Sequence, residues 1–107
     1  VHAVVPDSSL EELALHILRD AQIPEPVVHH PIHVQDQLFV VDIAWPEARL
    51  ALECDGFLYH SGPEQLRSDH QRQNLLATAG WTLLRTDWHT LRTDPAQLIA
   101  QIITALT

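Results

Sequence analysis

Leu10, Leu13, Ala14, Ile17, Leu18 and Ala21 recur at helical spacing, which lays an apolar stripe along one side of a helix. Ser8 and Ser9 stand ahead of that stripe, each followed three residues later by a glutamate, Glu11 and Glu12. At this spacing a cap hydroxyl and a carboxylate satisfy each other's backbone N–H. Pro24 and Pro26 bring the helix to an end. The pattern then changes to strand-like segments over residues 28–34 and 38–45, with a third from Leu50 to Asp55 stopped by Gly56. Pro63 opens a second helix, polar in its first half and closed by Ala79-Gly80. Trp81 to Thr86 reads as a fourth strand. Asp94-Pro95-Ala96-Gln97 caps a final helix whose Leu98, Ile99, Ile102, Ile103 and Leu106 are expected to be its buried face.

The predicted order is therefore α-β-β-β-α-β-α. Short links make the first three strands an antiparallel meander, and a crossover helix lets the fourth run parallel to a neighbour. The expected fold class is α/β (α+β), a mixed four-stranded sheet flanked by helices.

Composition narrows this picture in three ways. At 107 residues with 46% apolar content, residues 1–107 are expected to form a single domain with one core. The chain starts at Val1 and has no methionine, as expected of a domain excised from a longer protein. No apolar run reaches membrane-spanning length, so no membrane partner is expected. Cys54 is the sole cysteine, which rules out an internal disulfide and fits a cytoplasmic protein. Between Glu53 and Asp55 it faces away from both carboxylates, as a buried thiol with Leu50 and Leu52.

Charge is distributed unevenly. Fourteen acids meet six basic residues, all arginine. Ten of those acids precede Glu64 and share that half with only Arg19 and Arg49. A domain that binds nucleic acid by charge alone carries the opposite balance. A DNA partner would require metal ions or a basic domain elsewhere in the chain.

The acids of Leu50-Ala51-Leu52-Glu53-Cys54-Asp55-Gly56 fall inside a segment that should be buried. Glu53 and Asp55, two apart on a strand, share one face. With the preceding turn centred between Glu47 and Ala48, Asp42 lies directly opposite Glu53 and diagonally from Asp55. Opposed side chains have Cβ atoms roughly 4.5–5.5 Å apart, and like charges there are destabilising. Desolvation and repulsion should raise the pKa values of such acids. Three carboxylates on one face persist if a proton is shared, if basic groups compensate, or if a divalent cation binds. Oxygen ligands of this kind suit Mg²⁺, Mn²⁺ or Ca²⁺.

Other groups sit near this constellation in sequence. Glu11 borders the apolar stripe of the first helix and reads, on its own, as a capping residue. Asp69 and Arg72 form a polar pair on the stripe that continues to Leu76 and Ala79. His60 follows the acidic strand by five residues, where an imidazole could serve as acid, base or ligand. His29 and His33 share a strand face and allow a zinc reading, without the partner spacing of familiar zinc modules.

Several stretches together resemble a known group of proteins. They are Val41-Asp42-Ile43-Ala44-Trp45-Pro46, Arg49-Leu50-Ala51-Leu52-Glu53-Cys54-Asp55-Gly56, Tyr59-His60, Asp69-His70-Gln71-Arg72-Gln73-Asn74-Leu75, Gly80-Trp81 and Leu84-Arg85. In this order they are similar to the uncharacterised domains grouped with very-short-patch repair (Vsr-like) endonucleases, in the PD-(D/E)xK superfamily. The likeness covers nearly the whole chain from Ser8.

The resemblance implies a restriction-endonuclease-like αβββαβα core and a metal-dependent endonuclease hydrolysing DNA phosphodiester bonds with Mg²⁺ or Mn²⁺. It matches Asp42, Glu53 and Asp55 to metal ligands and His60 to a catalytic histidine, and it lifts Glu11 to an active-site acid. Arg72 and Arg85 are expected at the phosphate, with Asp69 as the second member of an Asp-x-x-Arg pattern. The chain departs from the superfamily in having no lysine, with Asp55 in that place, and in His70, where many relatives carry arginine. Relatives often carry the domain at the C-terminus of a chain with a helix-turn-helix-like domain, the partner such a chain would supply. The competing expectation is a catalytically inactive regulatory or interaction module that keeps the fold.

Overall fold

The structure, a computed structural model, describes residues 7–56 and 63–107, with side chains from Ser9 onward. Helix α1 spans Asp7–Asp20, and strands β1 and β2 span Val27–Val34 and Gln37–Trp45. A 3-10 turn, Pro46–Ala48, leads to β3, Leu50–Asp55. Helix α2, Pro63–Thr78, crosses to β4, Thr82–Asp87, and α3 and α4 follow as Trp88–Thr93 and Ala96–Leu106. The sheet runs β1-β2-β3-β4, with β4 parallel to β3 and the other neighbours antiparallel. The predicted mixed four-stranded α+β architecture is the one observed.

The β2–β3 link carries the predicted register. Ile43 opposes Leu52, Ala44 opposes Ala51 and Trp45 opposes Leu50, and the ladder ends there, one residue short of Asp42. The turn holds because Arg49 takes a left-handed backbone (φ 50°) and its N–H reaches the Pro46 carbonyl. Arg49 Nη1 also donates to the Ala79 carbonyl at 2.8 Å. This ties the turn to the end of α2, beside Gly80. Gly80 has φ +91°, and a Cβ there would lie 3.1 Å from Arg49 Nη1, so strain and crowding both favour glycine.

Two cores lie on opposite faces of the sheet. On one face, Leu10, Ala14 and Leu18 of α1 pack with Ile43, Trp45, Leu50, Leu52 and Cys54, closed by Leu91, Leu98 and Ile102. On the other, Leu76 of α2 sits on Ile32, Val34, Val41, Ala44 and Ala51. Cys54 does face away from Glu53, as its position in the strand required.

Burial, and after it the charge of Asp42, pushes the Cys54 thiol well up from its ordinary value. A thiolate is the reactive form, so Cys54 should resist alkylation at pH 8 in the native protein and label readily in denaturant. Equal labelling rates in the two conditions would mean that β3 opens.

The fold differs from the sequence expectation at three places. Ile103 is 46% exposed and not part of the buried face. The inward line of α4 runs through Leu98 and Ile102, and Ile103 lies a quarter-turn away. Ala21 lies outside α1 and is exposed. Helix α3 was absent from the predicted order; it begins where the Asp87 carboxylate accepts the Thr90 N–H at 2.8 Å, an N-cap that also lowers the Asp87 pKa.

Candidate functional site

Regular alternation would set Val41 and Ile43 on one face of β2, yet Val41 belongs to the core under α2 and Ile43 to the core under α1. The strand therefore changes face at Asp42. Strand β1 is distorted at the matching position. Its ladder pairs Val28 with Ile43 and His30 with Val41, and His29 between them has φ 53°. A left-handed backbone is uncommon for histidine and costs energy unless its surroundings enforce it.

The paired irregularity places Asp42 between α1 and β3. The Asp42 Oδ2 accepts the Cys54 N–H at 2.8 Å, and the Asp42 N–H donates to Glu53 Oε2 at 3.3 Å. Each carboxylate thus binds the main chain of the opposite strand. From the α1 side, Glu11 brings a carboxylate that is almost completely buried, at 6% exposure. His29 Nε2 lies 2.8 Å from Glu11 Oε1. Donor atoms of Glu11, His29 and Asp42 all lie within 4.8 Å of one another.

Glu53 and Asp55 meet different partners. Arg72 of α2 sits 2.5 Å from Glu53 Oε1, also reaches the Val40 carbonyl at 3.5 Å, and stacks over Phe39 at 5.7 Å. Arg85 of β4, alongside Glu53 in the parallel ladder, lies 3.4 Å from Asp55 Oδ2. Of the three ways to keep the acids together, the fold uses compensating basic groups for these two. Burial is the largest influence on both and raises their pKa values; Arg72 opposes it at Glu53 and Arg85 at Asp55. Arg72 and Arg85 thus bind site carboxylates where a phosphate contact was expected. Asp69 accepts from Gln65 at 3.0 Å instead of pairing with Arg72.

The expected set is therefore divided. Asp42 and Glu53 come together, Glu11 joins Asp42, and Asp55 stays on the Glu53 side with Arg85. His60 lies outside the described residues. His33 is exposed and takes no part in the group around Asp42. The sequence marks His29 only beside His33; the signal for its place at Asp42 is a position directly across the ladder from that acid.

The mixed sheet and its flanking helices form a restriction-endonuclease-like fold. A family model matches residues 22–106, and the chain belongs to that family, REase_MTES_1575. The fold also matches the catalytic domain of the homing endonuclease I-Bth0305I with a TM-score of 0.66, over 91% of this chain and 96% of that one, at 22% identity. Two uncharacterized proteins of Mycobacterium tuberculosis, MT2308 of strain CDC 1551 and Rv2248 of strain H37Rv, are each 33% identical over 97 residues. That alignment takes in 90% of this chain and 36% of each relative, so the chain spans about a third of the curated relatives' length. Among the described residues no helix is long and apolar enough to cross a membrane.

Proposed function

We propose that this domain is a metal-dependent endonuclease that hydrolyses DNA phosphodiester bonds at the Asp42 site. The observation that carries the reading is the convergence of Glu11 and His29 on Asp42 at the one point where β1 and β2 both break regularity. Strain kept at such a point fits a functional arrangement.

The donor chemistry fits a divalent cation, with Asp42 and Glu11 as the nearest carboxylates and Glu53 and Asp55 as further candidates. Such a cation would supply Lewis-acid polarisation of the scissile phosphate and a lower pKa for the attacking water. The protein's own groups do the remaining work. Asp42 is held by the Cys54 N–H and Glu53 is held by Arg72 and the Asp42 N–H, so both acids are oriented before substrate arrives. In hydrolysis the water oxygen forms a bond to phosphorus as the bond to one bridging oxygen breaks. The water's proton is lost, and the leaving oxygen gains one. His60 is assigned to proton transfer on the family resemblance. Arg72 and Arg85 reach the phosphate in this reading by leaving Glu53 and Asp55, with Asp69 one turn before Arg72.

DNA as partner must overcome a net charge of −8. A bound cation offsets part of that charge, and the rest is assigned to a helix-turn-helix-like domain in the same full-length, cytoplasmic chain. A second reading, a non-catalytic interaction module, is favoured by the arginines that neutralise Glu53 and Asp55.

Supercoiled plasmid separates the two. The nuclease reading expects nicked and linear products with Mg²⁺ or Mn²⁺ and none with EDTA. If the full-length protein leaves plasmid intact with either ion, the interaction module takes its place.

A further inference from the structure

The Glu11–His29–Asp42 group contains a nitrogen donor, and oxygen-only acids do not account for it. Three observations bear on what it binds. The Nε2–Oε1 separation of 2.8 Å is close to that of adjacent donors about 2.0–2.2 Å from a shared transition-metal ion, roughly 3 Å apart. All three donors fall within 4.8 Å of one another, narrow enough to include donors on opposite sides of such an ion. Glu11 is 6% exposed, and it lies at hydrogen-bond distance from an imidazole whose own side chain is 60% exposed. The imidazole thus reaches solvent beside a carboxylate that does not. The left-handed backbone of His29 holds its ring toward Glu11.

We propose that His29 is a metal ligand and that it makes this centre selective for borderline divalent transition ions, Mn²⁺ and those after it in the first row, over Mg²⁺ and Ca²⁺. Imidazole is a good ligand for the former and a poor one for the latter, which prefer oxygen donors. The inference rests on the metal-dependent reading above and adds the ligand and the ion class. Its consequence is that, at equal concentrations, Mn²⁺-like ions fill the site ahead of Mg²⁺.

Mn²⁺ is its own probe. Titration of the protein followed by electron paramagnetic resonance reads affinity, and pulsed spectra read coupling to a ligating ¹⁴N. The parent should show ¹⁴N coupling and bind Mn²⁺ at least about tenfold more tightly than Mg²⁺ measured by competition. His29→Asn suits the left-handed backbone and should preserve the fold. It should lose the ¹⁴N coupling and about tenfold or more of the Mn²⁺ affinity, with Mg²⁺ affinity changed far less. His60→Ala should keep the coupling.

Coupling that survives in His29→Asn, or Mn²⁺ bound without any ¹⁴N signal, overturns the assignment. The two readings fail separately. Plasmid cleavage with no nitrogen coupling leaves the nuclease and removes the His29 site. Nitrogen coupling lost in His29→Asn, with no cleavage by any form of the protein, leaves the site and removes the nuclease.

Discussion

Asp42→Asn is expected to lower metal-dependent plasmid nicking at least about 100-fold while leaving the protein folded. Losing a group that merely supports a ligand already costs 10–100-fold, and Asp42 is the acid that lies beside both Glu11 and His29 and touches the main chain of β3. Its two roles separate by substitution. As an acceptor, Asp42 Oδ2 satisfies the Cys54 N–H at 2.8 Å, and an asparagine carbonyl can do the same. As an anion it faces Glu11 and His29, and an amide cannot replace that charge. Asp42→Ala removes both roles and leaves a buried N–H without its partner, at about 1–3 kcal/mol. Urea denaturation should therefore place Asp42→Asn close to the parent and Asp42→Ala clearly below it, while nicking is lost in both. Undiminished nicking by Asp42→Asn would remove this residue from the chemistry.

Arg72→Ala should cost about 2–4 kcal/mol of stability near pH 7–8, the scale of breaking a largely buried ion pair by removing one partner. The Arg72 and Glu53 side chains are 24% and 10% exposed, so solvent screens the pair only weakly. The pH dependence follows from the raised Glu53 pKa. A folded-state pKa above the unfolded one means that the proton favours folding. That contribution is complete below the unfolded carboxylate range and disappears as pH rises through the folded value. Above it the charged Glu53 is a cost that Arg72 offsets. Without Arg72 the folded pKa rises further and the cost at neutral pH grows. Below about pH 4 Glu53 is mostly protonated in both states, so parent and variant should approach each other. What remains there is the loss of stacking on Phe39 and of the Val40 contact. Adding Glu53→Gln to Arg72→Ala should recover most of the neutral-pH loss. A deficit of the same size at pH 4 and pH 8 would show that Arg72 acts through packing instead of charge.

The arginines give this expectation a functional side. They neutralise Glu53 and Asp55 where burial would otherwise penalise the charges. The sequence alone places Arg72 and Arg85 in the motif as candidates for a phosphate contact. Whether they bind anionic protein or anionic substrate depends on distances that only the packed sheet sets.

The sequence by itself determined the order of the main elements and the register at the centre of the sheet. The turn after Trp45 has a length that allows few pairings, and a one-residue slip would turn Leu50 and Leu52 out of the core. The opposed pair Ile43 and Leu52 bears out that register as far as the ladder runs, and beyond it the Asp42 N–H still reaches Glu53 Oε2 although the two side chains turn to different helices. The tertiary structure alone decided which acids meet. Periodicity describes regular strands, and the site lies where β1 and β2 are irregular, at His29 and Asp42. There the change of face turns Asp42 toward Glu11, two elements away in the chain. Docking of α2 through Leu76 carries Arg72 to Glu53. Both outcomes come from long-range packing, which local patterns do not encode: the charges were legible in the chain, and their partners followed from how the layers close.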